Sequence, residues 1–366
     1  MLYKSTDLTN KTIQLISDFQ SGKVKPISTG ISHLDKVCFG GLTPSFVLGI
    51  AARSFAGKTY DLERIQRHIK ETEPEVVMIN GNYELSFFKI LLRDIAQKTN
   101  KTQAEILYNN PTVEELIELK TVCDIHRNEN VYYQNEPVTS ETFFDDVKSI
   151  IDAYPNRKIV VTIDNLENIL DTKGSQKSSI DLFLTQINRL KDMHWFISFI
   201  ILNQLNDNIL MRLDNPKQHK PKESDLYSSG QYFKLCDVLY VKVLPWRMHL
   251  VDKFMIFSSK AYDWLEDFKL YNGNTASFDP IGCAYYFYLK RRGSDVKDMQ
   301  DVFAERIFKG DNAMNQKTTF DSSPFSTKKI ETERKLTPIA DLPPIPNFDL
   351  ANAFNVGEKD DSDAPF

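Results

Sequence analysis

The sequence predicts an α/β protein with a mostly parallel central sheet and helices on both faces. Helix-like segments such as YDLERIQRHIKE and SSIDLFLTQINRLKDM alternate with short apolar runs. Runs that are apolar throughout are typical of strands buried on both faces, and alternation with helices favours parallel pairing. The four main runs are FVLGIA (46–51), EVVMIN (75–80), KIVVTID (158–164) and FISFIILN (196–203).

Three later apolar runs lie closer together along the chain. They are VLYVKVL (238–244), KFMIFSS (253–259) and CAYYFYLK (283–290). Such spacing predicts added strands, partly antiparallel, at one side of the sheet. The aromatic segment 246–278 has no assigned role beyond a surface hairpin.

The chain divides into three parts by pattern. Residues 1–25 hold a short amphipathic helix, predicted at 7–20, and a connector that begins at Ser21. Residues 26–310 carry the alternating pattern of the main domain. Residues 311–366 hold six of the 16 prolines and no periodic apolar segment, which predicts a disordered, acidic tail.

Composition excludes several classes of protein. No run of 18 apolar residues exists, so no membrane span is expected, and the N-terminus lacks a signal-peptide pattern. The four cysteines form no CxxC pair, which favours free thiols in a reducing compartment such as the cytoplasm. The net charge of −5 does not suggest indiscriminate nucleic-acid binding, so any DNA contact must come from a local basic loop.

A phosphate-binding loop is predicted directly after the first strand, in AARSFAGKT (51–59). Gly57, Lys58 and Thr59 supply the end of the GxxxxGK[ST] pattern, although Ala52 replaces its first glycine. Such a loop needs a helix N-terminus and inward N–H groups for phosphates, a lysine, and a hydroxyl for Mg²⁺. The loop residues assigned to nucleotide binding are Ala52, Arg53, Ser54, Phe55, Ala56, Gly57, Lys58 and Thr59.

An acidic residue at the end of a later strand is the second part that such a site requires. KIVVTID ends in Asp164, which would hold Mg²⁺ through water together with Thr59. Taken alone, Asp164 fits equally well as the N-cap of a helix after a buried strand.

From Pro26 onward, the motifs together resemble the C-terminal motor domain of the DnaB family of replicative helicases, including phage members. PISTGISHLDKVCFGGLTP (26–44) is similar to the segment that precedes the family's first core strand. The family's phosphate loop also begins Ala-Ala-Arg. Further similar segments are NVYYQNEPVTSETF (130–143), IILNQLN (200–206), KPKESDLYSSGQYFKLCDVLY (220–240) and KRRG (290–293).

The resemblance implies a RecA-like P-loop ATPase that uses ATP and Mg²⁺ and assembles into a ring, typically a hexamer. It assigns Gln204 to sensing the γ-phosphate, and Lys290 and Arg292 to the finger that reaches a neighbouring subunit's nucleotide. Tyr227 stands where the family usually has an arginine. A phage-encoded member would act in the cytoplasm of its bacterial host.

The family's catalytic glutamate has two candidate positions in VVMINGNYELSFFKILLR. Alignment from the strand places Asn82 there, and alignment from the following helix places Glu84 there. Glu84 is preferred because hydrolysis needs a carboxylate near the attacking water, a role that an asparagine cannot fill. The alternative is that Glu84 only caps the helix beginning at Leu85.

A basic loop between the sensor strand and SDLYSSG is the predicted contact with single-stranded DNA. In a RecA-type ring this loop faces the central channel, where cations hold a phosphate backbone without reading bases. A solvated surface loop is the plain alternative. The residues assigned are Arg212, Lys217, Lys220 and Lys222.

Two functional hypotheses follow. The first is an ATP-driven, ring-shaped helicase that translocates on single-stranded DNA. The second is a RecA-fold recombination mediator or helicase partner without unwinding activity, which the ambiguity between Asn82 and Glu84 favours and the finger disfavours. The C-terminal DDSDAPF resembles the tip of bacterial single-stranded-DNA-binding proteins, so it is either a docking peptide for replication proteins or an ordinary acidic tail.

Overall fold

The described part of the chain is one sheet with helices on both faces. The computed structural model describes residues 4–127, 129–135, 138–169, 176–212, 220–227, 230–248, 268–270, 275–276, 281–292 and 302–307. Within these ranges the strands are β1 Val47–Ala52, β2 Val77–Asn82, β3 Val131–Gln134, β4 Ile159–Asp164, β5 Ile197–Gln204, β6 Val238–Val243, β7 Phe268–Leu270, β8 Thr275–Ala276, β9 Cys283–Arg291 and β10 Val302–Arg306.

Helices connect the successive strands from β1 to β6. Those in the described ranges are α1 Ser5–Gln20, α2 Ser32–Val37, α3 Lys58–Thr72, α4 Phe87–Lys98, α5 Gln103–Tyr108, α6 Val113–Arg127, α7 Ser140–Ala153, α8 Gln176–Met193 and α9 Gly230–Leu235. Helix α1 begins two residues before the helix that its amphipathic pattern predicts. Threonine capping boxes start α5 and α7, at Thr102 and Thr139.

The strands lie in the order β3-β2-β4-β5-β1-β6-β9-β10-β7-β8. The first six pair in parallel, whereas β9 runs antiparallel to β6 and β10 antiparallel to β9. This arrangement confirms the predicted α/β class, with its mostly parallel sheet and partly antiparallel far side.

Two apolar cores, one on each face, hold helices against the sheet. Along β1, Val47 and Ala51 face the core that contains α7 and α8, while Leu48 and Ile50 face the core that contains α2 and α3. Side chains of a strand alternate between faces, so a strand that is apolar at every position serves both cores. Full burial of all six β1 residues follows from this.

Several strand boundaries differ from the sequence pattern. Strand β2 starts at Val77 and continues to Asn82, two residues past the predicted run, because Asn82 pairs in register with Asp164. The pattern did not predict β10. The predicted strand at 253–259, most of the segment 246–278 and the predicted disordered tail at 311–366 lie outside the described residues.

The four cysteines are free thiols, and three of them are buried. Across the ranges that the structure describes, no helix is both long and apolar enough to cross a membrane.

Candidate nucleotide site

The predicted phosphate-site residues meet at the carboxyl edge of the parallel sheet. In the register of the strands, Ala52 lies beside Gln204, and Asn82 lies beside Asp164. Binding sites of open α/β sheets form at this edge, where strand ends and helix N-termini converge. The sheet order therefore brings together segments that are far apart in the sequence.

The phosphate loop turns sharply between β1 and α3. Gly57 has φ +79° and Phe55 has φ +64°, a left-handed conformation that is rare for a bulky residue. Helix α3 begins at Lys58, so its unpaired N–H groups and the positive end of its dipole face the loop. The Phe55 side chain is 85% exposed at the tip. The loop therefore has the turn and the helix N-terminus that anion binding requires, although Ala52 stands at the first-glycine position.

Thr59 and Asp164 lie in direct contact beside the cradle. The Thr59 hydroxyl donates to Asp164 Oδ2 at 2.8 Å. The other oxygen, Oδ1, is buried and has no hydrogen-bond partner within the described part of the chain. Burial raises the pKa of Asp164 to about 6, against the opposing effects of the Lys58 charge and the Thr59 hydrogen bond. A carboxylate and a hydroxyl with an unsatisfied oxygen fit Mg²⁺, which prefers oxygen ligands.

Asn82 and Glu84 have different roles in the turn after β2. Asn82 is buried, and its Oδ1 accepts hydrogen bonds from the backbone N–H groups of Glu84 (3.2 Å) and Leu85 (2.8 Å). This turn leaves the Glu84 side chain exposed at the carboxyl edge of the sheet, with one carboxylate oxygen 3.5 Å from Asn165 Nδ2. Asn82 therefore stabilises the turn through its hydrogen bonds, while the Glu84 carboxylate is exposed beside it.

A third carboxylate near the predicted phosphate site belongs to Glu167, which the sequence motifs did not indicate. It lies in the short helical turn after Asp164, and burial raises its pKa while the Lys58 charge lowers it. Its Oε1 is buried without a hydrogen-bond partner among the described residues. The sequence feature that could have indicated Glu167 is its position three residues after Asp164, the aspartate at the end of β4.

Gln204, the predicted sensor, contacts the predicted phosphate loop directly. Gln204 Nε2 donates to Ser54 Oγ at 2.7 Å, at the last position of β5. The neighbouring loop residue Arg53 forms an ion pair with Asp207, just beyond the same strand. Two residues of the loop are thus joined to the end of β5.

The predicted DNA loop leaves the sheet directly after Gln204. Its stem is closed by a bridge between Leu205 and Leu226 and by the N–H of Asn206, which donates to the carbonyl of Asp225 at 2.8 Å. Arg212 forms a two-bond ion pair with buried Asp225, at 2.5 and 2.6 Å.

The four basic residues assigned to the loop therefore differ in their surroundings. The Arg212 side chain is engaged in the stem and is only 15% exposed. Lys220 and Lys222 are exposed, and Lys217 lies outside the described residues.

Tyr227 stands where the family resemblance predicts an arginine. It connects the stem of the loop to α8. Its N–H donates to the carbonyl of Gln204 at 2.9 Å, and its hydroxyl donates to Gln176 Oε1 at 2.7 Å. Gln176 in turn donates to the carbonyl of Glu167 at 2.9 Å. A tyrosine at this position therefore connects the sensor strand to the turn after β4.

The predicted finger residues are at the opposite edge of the sheet. Because β9 runs antiparallel to β6, Lys290 pairs with Leu239 near the start of β6. Its ammonium donates to the carbonyls of Phe233 and Lys234 at the end of α9, at 2.6 and 2.8 Å. The structure does not bring these residues to the phosphate loop of the same chain.

Arg292 is held at the same edge. Its guanidinium donates to Asp237 Oδ1 at 3.0 Å and to the Lys234 carbonyl at 2.8 Å. A cavity of about 280 Å³ adjoins it, with Lys191, Lys234 and Arg292 among its lining residues. The finger edge is therefore rich in cations.

Comparison with known proteins identifies the family. The sequence profile described as "DnaB-like helicase C terminal domain" matches residues 26–244. A search of curated proteins gives no match. A structure titled "ATPase Domain of G40P" is similar with a TM-score of 0.61 and 15% identity, over 83% of this chain and 95% of that one.

A second similar structure is titled "The Structure Of A DnaB-Like Replicative Helicase And Its Interactions With Primase". Its TM-score is 0.57 at 17% identity, over 82% of this chain and 64% of that one. At these identities the likeness establishes the fold, and the profile establishes the family. The chain belongs to the DnaB-like helicase C-terminal domain family.

Proposed function

We propose that this chain is the motor of a replicative DNA helicase, which hydrolyses ATP and translocates on single-stranded DNA as a ring, typically a hexamer. The observation that carries the proposal is the group formed by Lys58, Thr59, Asp164, Glu84 and Gln204 at one edge of the sheet. Membership of the DnaB-like helicase family supports the assignment of these side chains to ATP hydrolysis.

Nucleotide binding follows from the loop and the start of α3. Backbone N–H groups at the helix N-terminus bind the phosphates, and the Lys58 ammonium adds a positive charge. Thr59 and Asp164 would hold Mg²⁺, which when bound neutralises charge that develops on the phosphate oxygens. Magnesium binding requires the ionised form of Asp164.

Glu84 is the proposed general base for the attacking water. Its carboxylate is on the nucleotide edge and is not used to cap the turn, since Asn82 does that. Gln204 would exchange its bond with Ser54 for one with the γ-phosphate, so that β5 senses which nucleotide is bound.

The finger supports assembly into a ring. Lys290 and Arg292 lie at the sheet edge opposite the phosphate loop, so they stabilise charge on the transferred phosphoryl group only when supplied by a neighbour. Repetition of one such head-to-tail contact closes a ring when the rotation between subunits permits closure.

DNA binding is assigned to the loop that begins beyond Gln204. Exposed Lys220 and Lys222, together with Lys217, provide cations for a phosphate backbone. Arg212 would act differently from the sequence expectation, because its pair with Asp225 anchors the loop stem. The direct connection of that stem to Gln204 supports coupling between nucleotide state and DNA contact.

The C-terminal DDSDAPF, outside the described residues, is proposed as a docking peptide for replication proteins. The proposal predicts that deletion of Phe366 weakens capture of those partners and leaves ATPase activity and unwinding on bare DNA unchanged. Capture that survives this deletion but is lost when the aspartates are neutralised would instead indicate a non-specific acidic tail.

ATPase activity with and without single-stranded DNA, followed by unwinding of a forked duplex, tests the function. The helicase proposal predicts DNA-stimulated hydrolysis and ATP-dependent strand separation. ATPase activity without unwinding would favour the RecA-fold mediator instead. Absence of both ATP binding and hydrolysis would contradict the proposal.

A further inference from the structure

A buried ion pair lies directly beneath the phosphate loop. Lys242, on β6, is 4% exposed, and Asp61, in the first turn of α3, is fully buried. Lys242 Nζ and Asp61 Oδ1 are 2.5 Å apart, and the Tyr240 hydroxyl donates to the other carboxylate oxygen at 3.2 Å. The pair joins the phosphate helix to the strand beside β1.

The Lys242 ammonium also contacts the loop itself. It donates to the carbonyl of Gly57 at 3.3 Å, and its remaining side faces the rings of Tyr60 and Tyr286, each 5.6 Å away. Charged groups are costly to bury unless they are paired and hydrogen-bonded, and here both requirements are met.

Stabilisation of the fold does not by itself account for such a pair. A buried ion pair can often be replaced by apolar side chains of similar volume at no loss of stability, because the desolvation penalty offsets the attraction. The rings of Tyr60 and Tyr286 provide an apolar lining for such a replacement. Apolar side chains could reproduce neither the bond that Tyr240 donates to Asp61 nor the contact with Gly57, and the Gly57 contact is the one that reaches the phosphate loop.

The geometry of one peptide unit connects this contact to nucleotide binding. The Gly57 carbonyl and the Lys58 N–H belong to the same planar trans peptide and point in opposite directions. A contact that fixes the direction of the Gly57 carbonyl therefore also fixes the Lys58 N–H, which points to the opposite side, where the phosphates are proposed to bind. The carbonyl accepts from Lys242 and from the Asp61 N–H, at 3.3 and 3.2 Å.

We propose that Lys242 is a positioning residue of the phosphate loop: held by Asp61, it fixes the peptide between Gly57 and Lys58 for phosphate binding. The inference rests on the proposed nucleotide site and adds a support that acts from β6. Gly57 has a left-handed φ of +79°. Glycine adopts this conformation about as readily as others, so a contact from outside the loop is what favours it. Lys242 acts through the loop and does not touch the reacting atoms.

The test replaces the pair by apolar residues, as Lys242→Met with Asp61→Leu. We expect the melting temperature to stay within a few degrees of wild type. Affinity for the ATP analogue AMP-PNP should fall about tenfold, equivalent to about 1.4 kcal/mol. In steady-state hydrolysis the KM for ATP should rise with a smaller change in kcat, as expected for a defect in binding.

A neighbouring ion pair provides the matched control. Arg64, three residues after Asp61 on α3, pairs with Glu305 on β10 at 2.7 Å. Arg64→Met with Glu305→Leu removes a pair between the same helix and the same side of the sheet. This control should bind AMP-PNP with wild-type affinity.

The outcomes separate the inference from the function on which it rests. If wild-type protein fails to bind AMP-PNP, the proposed nucleotide site is wrong. If wild type binds and the Lys242→Met, Asp61→Leu protein binds equally tightly, the pair is only structural and the inference is overturned. Equal loss of affinity in the control would also overturn it, since any pair under α3 would then suffice.

A milder variant decides the matter if the double variant does not fold. Asp61→Asn keeps the volume and the acceptor but removes the charge that holds Lys242. AMP-PNP affinity should then fall about threefold, or roughly 0.6 kcal/mol. Unchanged affinity in this folded variant would overturn the inference.

Discussion

The two ends of β6 carry different halves of the proposed reaction. Near its end, Lys242 pairs with Ala52 at the phosphate-loop edge, and at its start Val238 pairs with Arg291 at the finger edge. At about 3.3 Å per residue, these positions are roughly 13 Å apart along the strand. In the proposed function, the phosphate edge binds nucleotide within one chain, whereas the finger edge acts on the nucleotide of a neighbour.

In the proposed function, a complete catalytic site therefore needs the phosphate edge of one subunit and the finger edge of its neighbour. Side chains on the phosphate edge contact one another, as the Thr59–Asp164 and Gln204–Ser54 bonds illustrate. At the finger edge, Lys290 and Arg292 are occupied by the end of α9 and by Asp237. Changes at the phosphate edge should act in the subunit that carries them, and changes at the finger edge should act in the neighbour.

Lys58→Ala is expected to have the largest effect. It would remove the cation that is proposed to contact the phosphates, so ATP hydrolysis should be abolished. The fold should persist, since Lys58 contributes no core packing beyond the start of α3. Circular dichroism and ATPase assays would measure both properties, with exposed Lys89→Ala as the control. Near-normal turnover would show that the phosphate loop has been assigned wrongly.

Glu84→Gln should come next in size. It should permit ATP binding but lower turnover by about 10²–10⁴-fold, the usual contribution of a general base. Single-turnover hydrolysis alongside AMP-PNP binding would separate the two steps. Asn82→Ala should instead affect the turn and act mainly on stability.

Glu167→Gln sharpens the assignment, because the pKa values of Glu167 and of Asp164 both respond to the charge of Lys58. We expect a much smaller loss of turnover than for Glu84→Gln. The reverse order would move the catalytic role to Glu167 and exclude Glu84.

Replacement of Lys220 and Lys222 by alanine should reduce affinity for single-stranded DNA severalfold. Each lost phosphate contact should lower the slope of log affinity against log salt by about 1. Binding titrations at several salt concentrations would measure it, and Lys89→Ala with Lys120→Ala serves as an exposed control. ATP binding should not change. An unaltered salt slope would remove these lysines from the DNA contact.

The smallest effect is expected away from both edges. His126 lies between Asp94 and Glu129, at 3.1 Å from each, and hydrogen bonds with these carboxylates raise the pKa of His126. Folding therefore favours the protonated form. Its stabilisation is complete below the unfolded pKa of about 6.5 and is lost as pH rises through the higher folded value.

Denaturant unfolding at pH 6 and pH 8 tests this effect. The free energy of unfolding should decrease between the two pH values more in wild type than in His126→Gln, which cannot be protonated. An identical decrease in both proteins would show that the cluster does not titrate in this range. ATPase activity serves as the reference, since His126, Asp94 and Glu129 are not among the residues proposed to bind nucleotide.

The parts that were predictable from sequence are those set by local pattern. The runs ending in Ala51, Asp164 and Asn203 appear as β1, β4 and β5 because apolar strands buried on both faces have a strong signature. The phosphate loop was recognisable from its strand–loop–helix context despite Ala52. Order along the sheet then follows from long-range pairing, which no local pattern specifies.

Pairings between distant side chains could not be predicted. Lys242 reads as one polar residue in VLYVKVL, and only the sheet order places it under Gly57 and beside Asp61. Arg212 reads as a DNA contact until its pair with Asp225 is seen. Glu167 was missed because its closeness to Lys58 depends on the turn after β4.

Mixing Lys58→Ala with Arg292→Ala protein tests the division between the two edges most directly. Each variant should be inactive alone, but the intact loop of one can meet the intact finger of the other. With random equal mixing, about one quarter of the interfaces in a ring regain both parts. ATPase activity should recover to about that fraction of wild type, whereas mixing Lys58→Ala with the Lys58→Ala, Arg292→Ala double variant should restore nothing. Absence of recovery at every mixing ratio would contradict a site shared between subunits.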